Sequence, residues 1–208
     1  MKINIRLLII SLLLAASTSG FAQATIDIMP FYGWQMNGKI KFYQGELRTD
    51  ANPLFGVAMD VIVQQDMAVR FQYSRTETMS HFRPYSNYQD FDAEDFDMGN
   101  EYYQIGAVRY LKMDNIEPFG AFTLGAARYF SNDYGNDLWR FSITAGLGVK
   151  IFLTEKVGIK LQGDFMMPMY FEGVGFYFGS GGSGLTTYSS VPMLQGNFNG
   201  GLVFRLGN

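Results

Sequence analysis

Arg140-Phe-Ser-Ile-Thr-Ala-Gly-Leu-Gly-Val-Lys-Ile151 alternates without a break. Phe141, Ile143, Ala145, Leu147, Val149 and Ile151 fall on one side, and Arg140, Ser142, Thr144, Gly146, Gly148 and Lys150 on the other. Side chains of an extended chain point to opposite faces in turn, so this stretch predicts a strand lying between an apolar and a polar environment. It is long beside the usual soluble strand of about 5–6 residues, and it suits a tilted strand crossing a bilayer in about 9–11. The next segment repeats the split. From Lys156 to Phe165, Val157, Ile159, Leu161 and Phe165 share one face, while Lys156, Lys160, Gln162 and Asp164 share the other.

Extending the same reading in both directions gives eight segments, near 25–35, 54–64, 67–78, 102–112, 117–130, 138–153, 156–170 and 195–206. The connections alternate between short (65–66, 113–117, 154–155) and long (36–53, 79–101, 171–194), with 131–137 on the long side. Short turns at one membrane face and long loops at the other are the expected asymmetry of a transmembrane barrel. Aromatic residues gather at the strand ends beside the long loops: Tyr32, Trp34, Tyr102, Tyr103, Tyr129, Phe130, Trp139, Tyr170 and Phe171. Tyr110, Phe119, Phe152 and Phe204 are the candidates for a second girdle at the short-turn side. In 102–112 both faces carry apolar groups, and Arg109 shares parity with Ile105 and Leu111, so a bulge or register shift is expected within 102–130.

Composition agrees with this class. The 208 residues include 24 Gly, 19 Phe and 13 Tyr, only 17% are charged and none is Cys, which excludes a disulfide scaffold and thiolate metal sites. At the start, Lys2 and Arg6 precede an apolar run from Leu7 to Ala16 and a small, polar Ser17 to Ala24. This pattern predicts a secretory signal peptide over 1–22, cleaved after Ala22 or Ala24, with the barrel domain over 23–208. Removing it takes the basic count from 16 to 14 against 19 acids, and the net charge from −3 to −5. An acidic mature chain argues against a nucleic-acid partner.

The C-terminus, Asn199-Gly-Gly-Leu-Val-Phe-Arg-Leu206, resembles the terminal assembly signal of outer-membrane barrels at Asn199, Gly201, Phe204 and Leu206. Leu206 stands where an aromatic is usual, and Gly207-Asn208 follow it. With Glu117-Pro-Phe-Gly-Ala-Phe-Thr-Leu-Gly-Ala-Ala-Arg128 and Trp139 to Lys150, the mature chain resembles the small outer-membrane β-barrel superfamily of Gram-negative bacteria, porin-like barrels of the OmpA and OmpX kind. The resemblance implies an all-β, eight-stranded antiparallel up-and-down transmembrane β-barrel in the bacterial outer membrane. Its implied partners are membrane lipid and lipopolysaccharide, the barrel-assembly machinery through the C-terminal strand, and an external ligand. It is nearly silent on activity, because fold does not imply function.

Four features of the sequence bear on chemistry. Asp90, Asp92, Glu94 and Glu101 match positions 1, 3, 5 and 12 of a calcium loop, but Asp95 stands where the turn needs Gly, so a solvated acidic loop is the favoured reading. His81, the only histidine, lies beside Ser80, and a base–nucleophile pair of a lipid A-modifying enzyme would use such residues; no orienting carboxylate is evident by spacing. Asp27, Asp60, Arg70, Arg128, Arg140, Lys150, Lys160, Asp164 and Arg205 read as inward charges, expected to pair and plug a narrow lumen. The Gly-rich 173–184 reads as a flexible external loop, with Phe176, Tyr177 and Phe178 available for contact. The expectation is therefore a non-enzymatic barrel with a structural, envelope-integrity or surface-binding role through its external loops, without catalytic, cofactor or metal residues; a lipid A-modifying enzyme and a narrow porin are the alternatives.

Overall fold

The computed structural model describes residues 25–41, 45–85, 94–131, 137–179, 182–190 and 194–207. The proposed signal peptide, Asp90, Asp92 and most of the 131–137 connection lie outside the described residues, as do the side chains of Tyr170, Phe171, Phe176, Tyr177 and Phe178. Eleven strands follow in order: β1 (Ile26–Gln35), β2 (Gly38–Lys41), β3 (Gly45–Thr49), β4 (Asn52–Gln64), β5 (Met67–Pro84), β6 (Glu94–Tyr110), β7 (Ile116–Ser131), β8 (Leu138–Phe152), β9 (Val157–Gly179), β10 (Gly182–Ser190) and β11 (Gln195–Leu206).

Eight of them close a ring. β1 pairs with β4, β4 with β5, and the antiparallel ladder runs on through β6, β7, β8 and β9 to β11. The first and last strands then meet, from Ile26 opposite Leu206 to Gln35 opposite Asn197. The alternation decides which way each side chain turns. Ser142, Thr144, Lys150, Lys160, Gln162 and Asp164 are buried inside, while Phe141, Leu147, Leu161 and Phe165 are exposed outside. A molecule with its charges inside and its large apolar groups outside has the polarity of a transmembrane barrel, in which closure satisfies every strand edge.

On the inner face of such a narrow ring the backbones crowd. A Cβ on Gly106 would overlap the Phe122 carbonyl oxygen, and one on Gly125 the Tyr103 carbonyl oxygen, so neither position accepts a side chain without moving a strand. The turns at the opposite end are tight, with Asp114 at φ 48°, in the left-handed region that Asp tolerates better than most residues.

The long connections differ from expectation. The first holds the β2–β3 hairpin, joined to the sheet by β3 pairing with β5 from Gly45 opposite Pro84 to Thr49 opposite Ser80. The second shrinks, because β5 and β6 remain paired out to Phe82 opposite Glu94. The Gly-rich 173–184 is no loose loop, since β9 continues to Gly179 and β10 pairs back along it. Beyond the bilayer both faces of a strand meet water, so no apolar alternation is required and period-2 reading stops short.

The expected bulge in 102–112 is also absent. β6 keeps one register with β5 and with β7; its pattern blurs because Tyr102, Val108 and Tyr110 fill the lumen beside Asn100 and Gln104. Arg109 points outward at the turn, 3.4 Å from Asp66. The second girdle needs correction as well. Tyr110, Phe119 and Phe152 turn inward, leaving Phe204 outside; on the long-loop side Tyr32, Trp34, Tyr103 and Trp139 face out, whereas Tyr102 and Tyr129 are buried.

Candidate functional site

The lower lumen, toward the short turns, holds a ring of eight side chains, one from each barrel strand, which hydrogen bonds link into an open, branched chain. Asp60 on β4 takes a forked pair from Arg70 on β5, Nε to Oδ1 at 2.6 Å and Nη2 to Oδ2 at 2.8 Å. Lys150 on β8 donates to Asp60 at 3.0 Å and to Asp27 on β1 at 2.7 Å. Tyr110 on β6 donates its hydroxyl to Asp60 and accepts from Lys150 at 2.8 Å. Arg205 on β11 forks onto Asp27 at 2.8 and 2.9 Å and reaches Glu117 on β7 at 3.0 Å. Arg70 Nη1 donates to Gln162 of β9 at 3.1 Å, which brings in the eighth strand.

The side chains of Asp27, Asp60, Arg70 and Lys150 have no exposed surface. Phe119 and Phe152 lie beneath the guanidiniums of Arg70 and Arg205, at 4.8 and 4.0 Å, which explains why these aromatics turn inward. Buried charges require paired, hydrogen-bonded partners, and here each carboxylate answers at least one cation.

Above the ring the lumen becomes mostly uncharged. Gln104 donates to Thr144 at 2.5 Å and accepts from Thr123 at 3.2 Å, and Tyr102 donates to Gln195 at 2.5 Å. Lys160 does not join an ion pair among the described residues; its Nζ lies 4.2 Å from the centre of the Phe31 ring. Asp164 accepts from Gln162 at 2.5 Å.

Asp27, Asp60, Arg70, Lys150 and Arg205 pair inside as read, whereas Lys160 and Asp164 are buried there without an ion pair among the described residues, and Arg128 needs correction. Arg128 has the outward parity of Leu124 and Ala126 and lies on the outer surface, against Glu101 at 3.0 Å and Asp137 at 2.7 Å. Glu117 and Tyr110 were missed as lumen groups. Parity with Asp27 and Lys150 across the sheet would have placed them, had the register been known.

The other candidates separate. Ser80 is fully buried, whereas its neighbour His81 points to the opposite face of β5, so the two cannot act as nucleophile and base. His81 instead has carboxylates on both nitrogens, Asp95 at 2.9 Å from Nδ1 and Asp50 at 3.2 Å from Nε2, and Arg83 donates to Asp95 at 2.7 Å. Asp50 is 31 residues away in sequence, a separation that spacing rules cannot bridge. His81, Asp50 and Arg83 border a cavity of about 1020 Å³, also lined by Lys39 and Arg48 of the β2–β3 hairpin.

Asp95 first, and Asp50 after it, hold the His81 pKa above its ordinary 6.5. The raised value sets the sign: the contribution to stability is complete below about 6.5 and is lost as pH rises through the higher folded value. The His81 ring should therefore titrate in NMR with a midpoint above 6.5, and Asp95→Asn should bring it down. A midpoint at or below 6.5 in the parent protein would show that the two contacts do not form.

The calcium loop is not formed. Glu94 to Glu101 is continuous strand in β6, which separates the two carboxylates by about 23 Å at 3.3 Å per residue. Among the described residues no group of acids and histidine is arranged to hold a metal ion.

No protein-family model matches the sequence, and no curated protein matches it. Solved structures do match in fold. OprG, an outer membrane protein from Pseudomonas aeruginosa, superposes with a TM-score of 0.61 at 9% identity, over 90% of this chain and 98% of that one. Neisserial surface protein A gives 0.55 at 11% identity, over 88% and 97%. The outer membrane protein AlkL gives 0.50 at 10% identity, over 89% and 92%. At such identities the likeness is one of fold. Eight closed strands, an apolar outer band, a polar filled lumen and these superpositions agree: the chain has the eight-stranded antiparallel β-barrel fold that these outer-membrane proteins share.

Proposed function

We propose that the protein is a non-enzymatic, non-conducting outer-membrane barrel that holds a β-sheet platform beyond the membrane for binding an external ligand or surface, and so contributes to the cell envelope. The observation that carries this reading is the lumen ring, which occupies the bore with one group from each barrel strand. The platform supports it too, because β5 and β6 run to 18 and 17 residues where a crossing needs about 9–11. The placement of Ser80 and His81 on opposite faces weighs against a lipid A-modifying site. In this reading residues 1–22 act as the export signal and β11 presents the assembly signal.

Purified protein in planar bilayers should show no large steady conductance, since the bore of an eight-stranded barrel is narrow enough for side chains to fill. Lipid A from expressing cells should be chemically unchanged by mass spectrometry. Reproducible single-channel steps would favour the narrow porin, and a new or missing acyl chain the enzyme.

A further inference from the structure

The outer surface changes character along one row of paired residues. Tyr73, Tyr103, Ala126 and Phe141 lie opposite one another on β5, β6, β7 and β8, and two positions further out the row reads Arg75, Glu101, Arg128 and Trp139. Below this line the outward residues of β5, Met67, Val69, Phe71 and Tyr73, are apolar or aromatic; above it come Arg75, Glu77, His81 and Arg83, with Met79 the one apolar residue among them. The row therefore stands where hydrocarbon gives way to headgroups.

Glu101 is the anomaly in that row. It faces outward, yet its side chain is only 5% exposed. Four donors enclose it: Arg75 at 3.2 Å, Arg128 at 3.0 Å, Tyr73 at 3.1 Å and Tyr103 at 2.9 Å. Both guanidiniums also lie over the Phe130 ring, at 5.1 and 5.0 Å, and Tyr103 stacks on Trp139 at 5.9 Å. Glu101 lies between the two arginines and fixes the direction of two forks, whose side chains remain 32% and 31% exposed. Their other partners are the exposed carboxylates Glu77, at 2.5 Å from Arg75, and Asp137, at 2.7 Å from Arg128.

We propose that Arg75 and Arg128, held by Glu101 on the outer wall of the barrel, form a binding site for the phosphate of a phosphorylated glycolipid in the outer leaflet. Guanidinium forks match phosphate in a bidentate manner, and the site lies at the depth where such a phosphate sits. The aromatic floor of Tyr73, Tyr103 and Trp139 accepts the adjoining sugar and the start of the acyl chains. Glu77 and Asp137 are the groups that the phosphate displaces; exposed ion pairs of this kind hold weakly. The site is independent of whatever the platform binds.

Nanodiscs of phosphatidylcholine doped with bisphosphorylated lipid A, or with the same lipid dephosphorylated, provide the test, with retained lipid counted by native mass spectrometry. The parent should retain the phosphorylated form selectively. The triple variant Arg75→Gln, Glu101→Gln, Arg128→Gln removes the forks without stranding a carboxylate, and should retain roughly tenfold less or lower still. Glu77→Gln with Asp137→Asn should retain at least as much as the parent. If the triple variant does not fold, as judged by heat-modifiable mobility, Arg75→Lys with Arg128→Lys keeps the charge but loses the forks, and should still retain several-fold less. Equal retention by the variants and the parent, or equal retention of dephosphorylated lipid, would overturn the proposal. Complete displacement of the lipid by excess inorganic phosphate would overturn it as well, in favour of a site for a soluble anion.

Discussion

Replacing Asp60 with alanine should lower the stability of the folded barrel by about 3–5 kcal/mol, the range found when one partner is removed from a buried ion pair. Asp60 accepts from Arg70, Lys150 and Tyr110, and the cations have no exposed surface through which water could replace it. Lys150 would keep Asp27, but Arg70 would keep only the amide oxygen of Gln162. Urea unfolding in lipid vesicles measures the loss. Adding Arg70→Met to Asp60→Ala should recover part of it, because the pair then leaves no lone charge. A double variant less stable than the single would show that Arg70 is stabilised by something other than Asp60.

Arginine at Leu161 should cost about 2–4 kcal/mol, the penalty for a cation on the lipid face near the bilayer midplane. Leu161 is exposed outside, between Val149 and Gly200 in the ladder. Its neighbour Lys160 provides the control. It is fully buried and meets an aromatic ring instead of a carboxylate, so Lys160→Met, which keeps the volume, should change stability by less than about 1.5 kcal/mol. Little damage from Leu161→Arg together with a gain from Lys160→Met would mean that the strand is displaced by one residue, since such a slip exchanges the two faces.

The parts legible in the sequence are those where the two environments differ most. In β8 and β9, lipid outside and charges inside enforce strict alternation, and Phe141, Ser142, Lys160 and Leu161 all lie on the faces that parity assigns. Reading failed where that contrast fades. β6 carries Val108 and Tyr110 inside and Ile105 and Ala107 outside, so its pattern resembled a broken register although the ladder is continuous. Arg128 reads as a lumen group only if every arginine on a membrane strand faces inward; at the headgroup boundary the outer wall accepts one. The partners of His81 and the members of the lumen ring lie tens of residues apart, and only the register brings them together. Beyond the bilayer, β2, β3 and β10 are held by backbone pairing, which leaves no hydrophobic trace.

The bidentate contact between Asp27 and Arg205 spans 178 residues and fastens the first strand to the last. Until those strands meet, the inner faces of both ends carry charges whose partners are elsewhere, and in hydrocarbon each such charge costs several kcal/mol. A half-rolled sheet inside the bilayer is therefore the least favourable arrangement the chain can take. Insertion and closure become a single cooperative event, and a barrel missing β1, β4, β5, β7, β8 or β11 has lost a charge of the network and is marked as incomplete by its own imbalance.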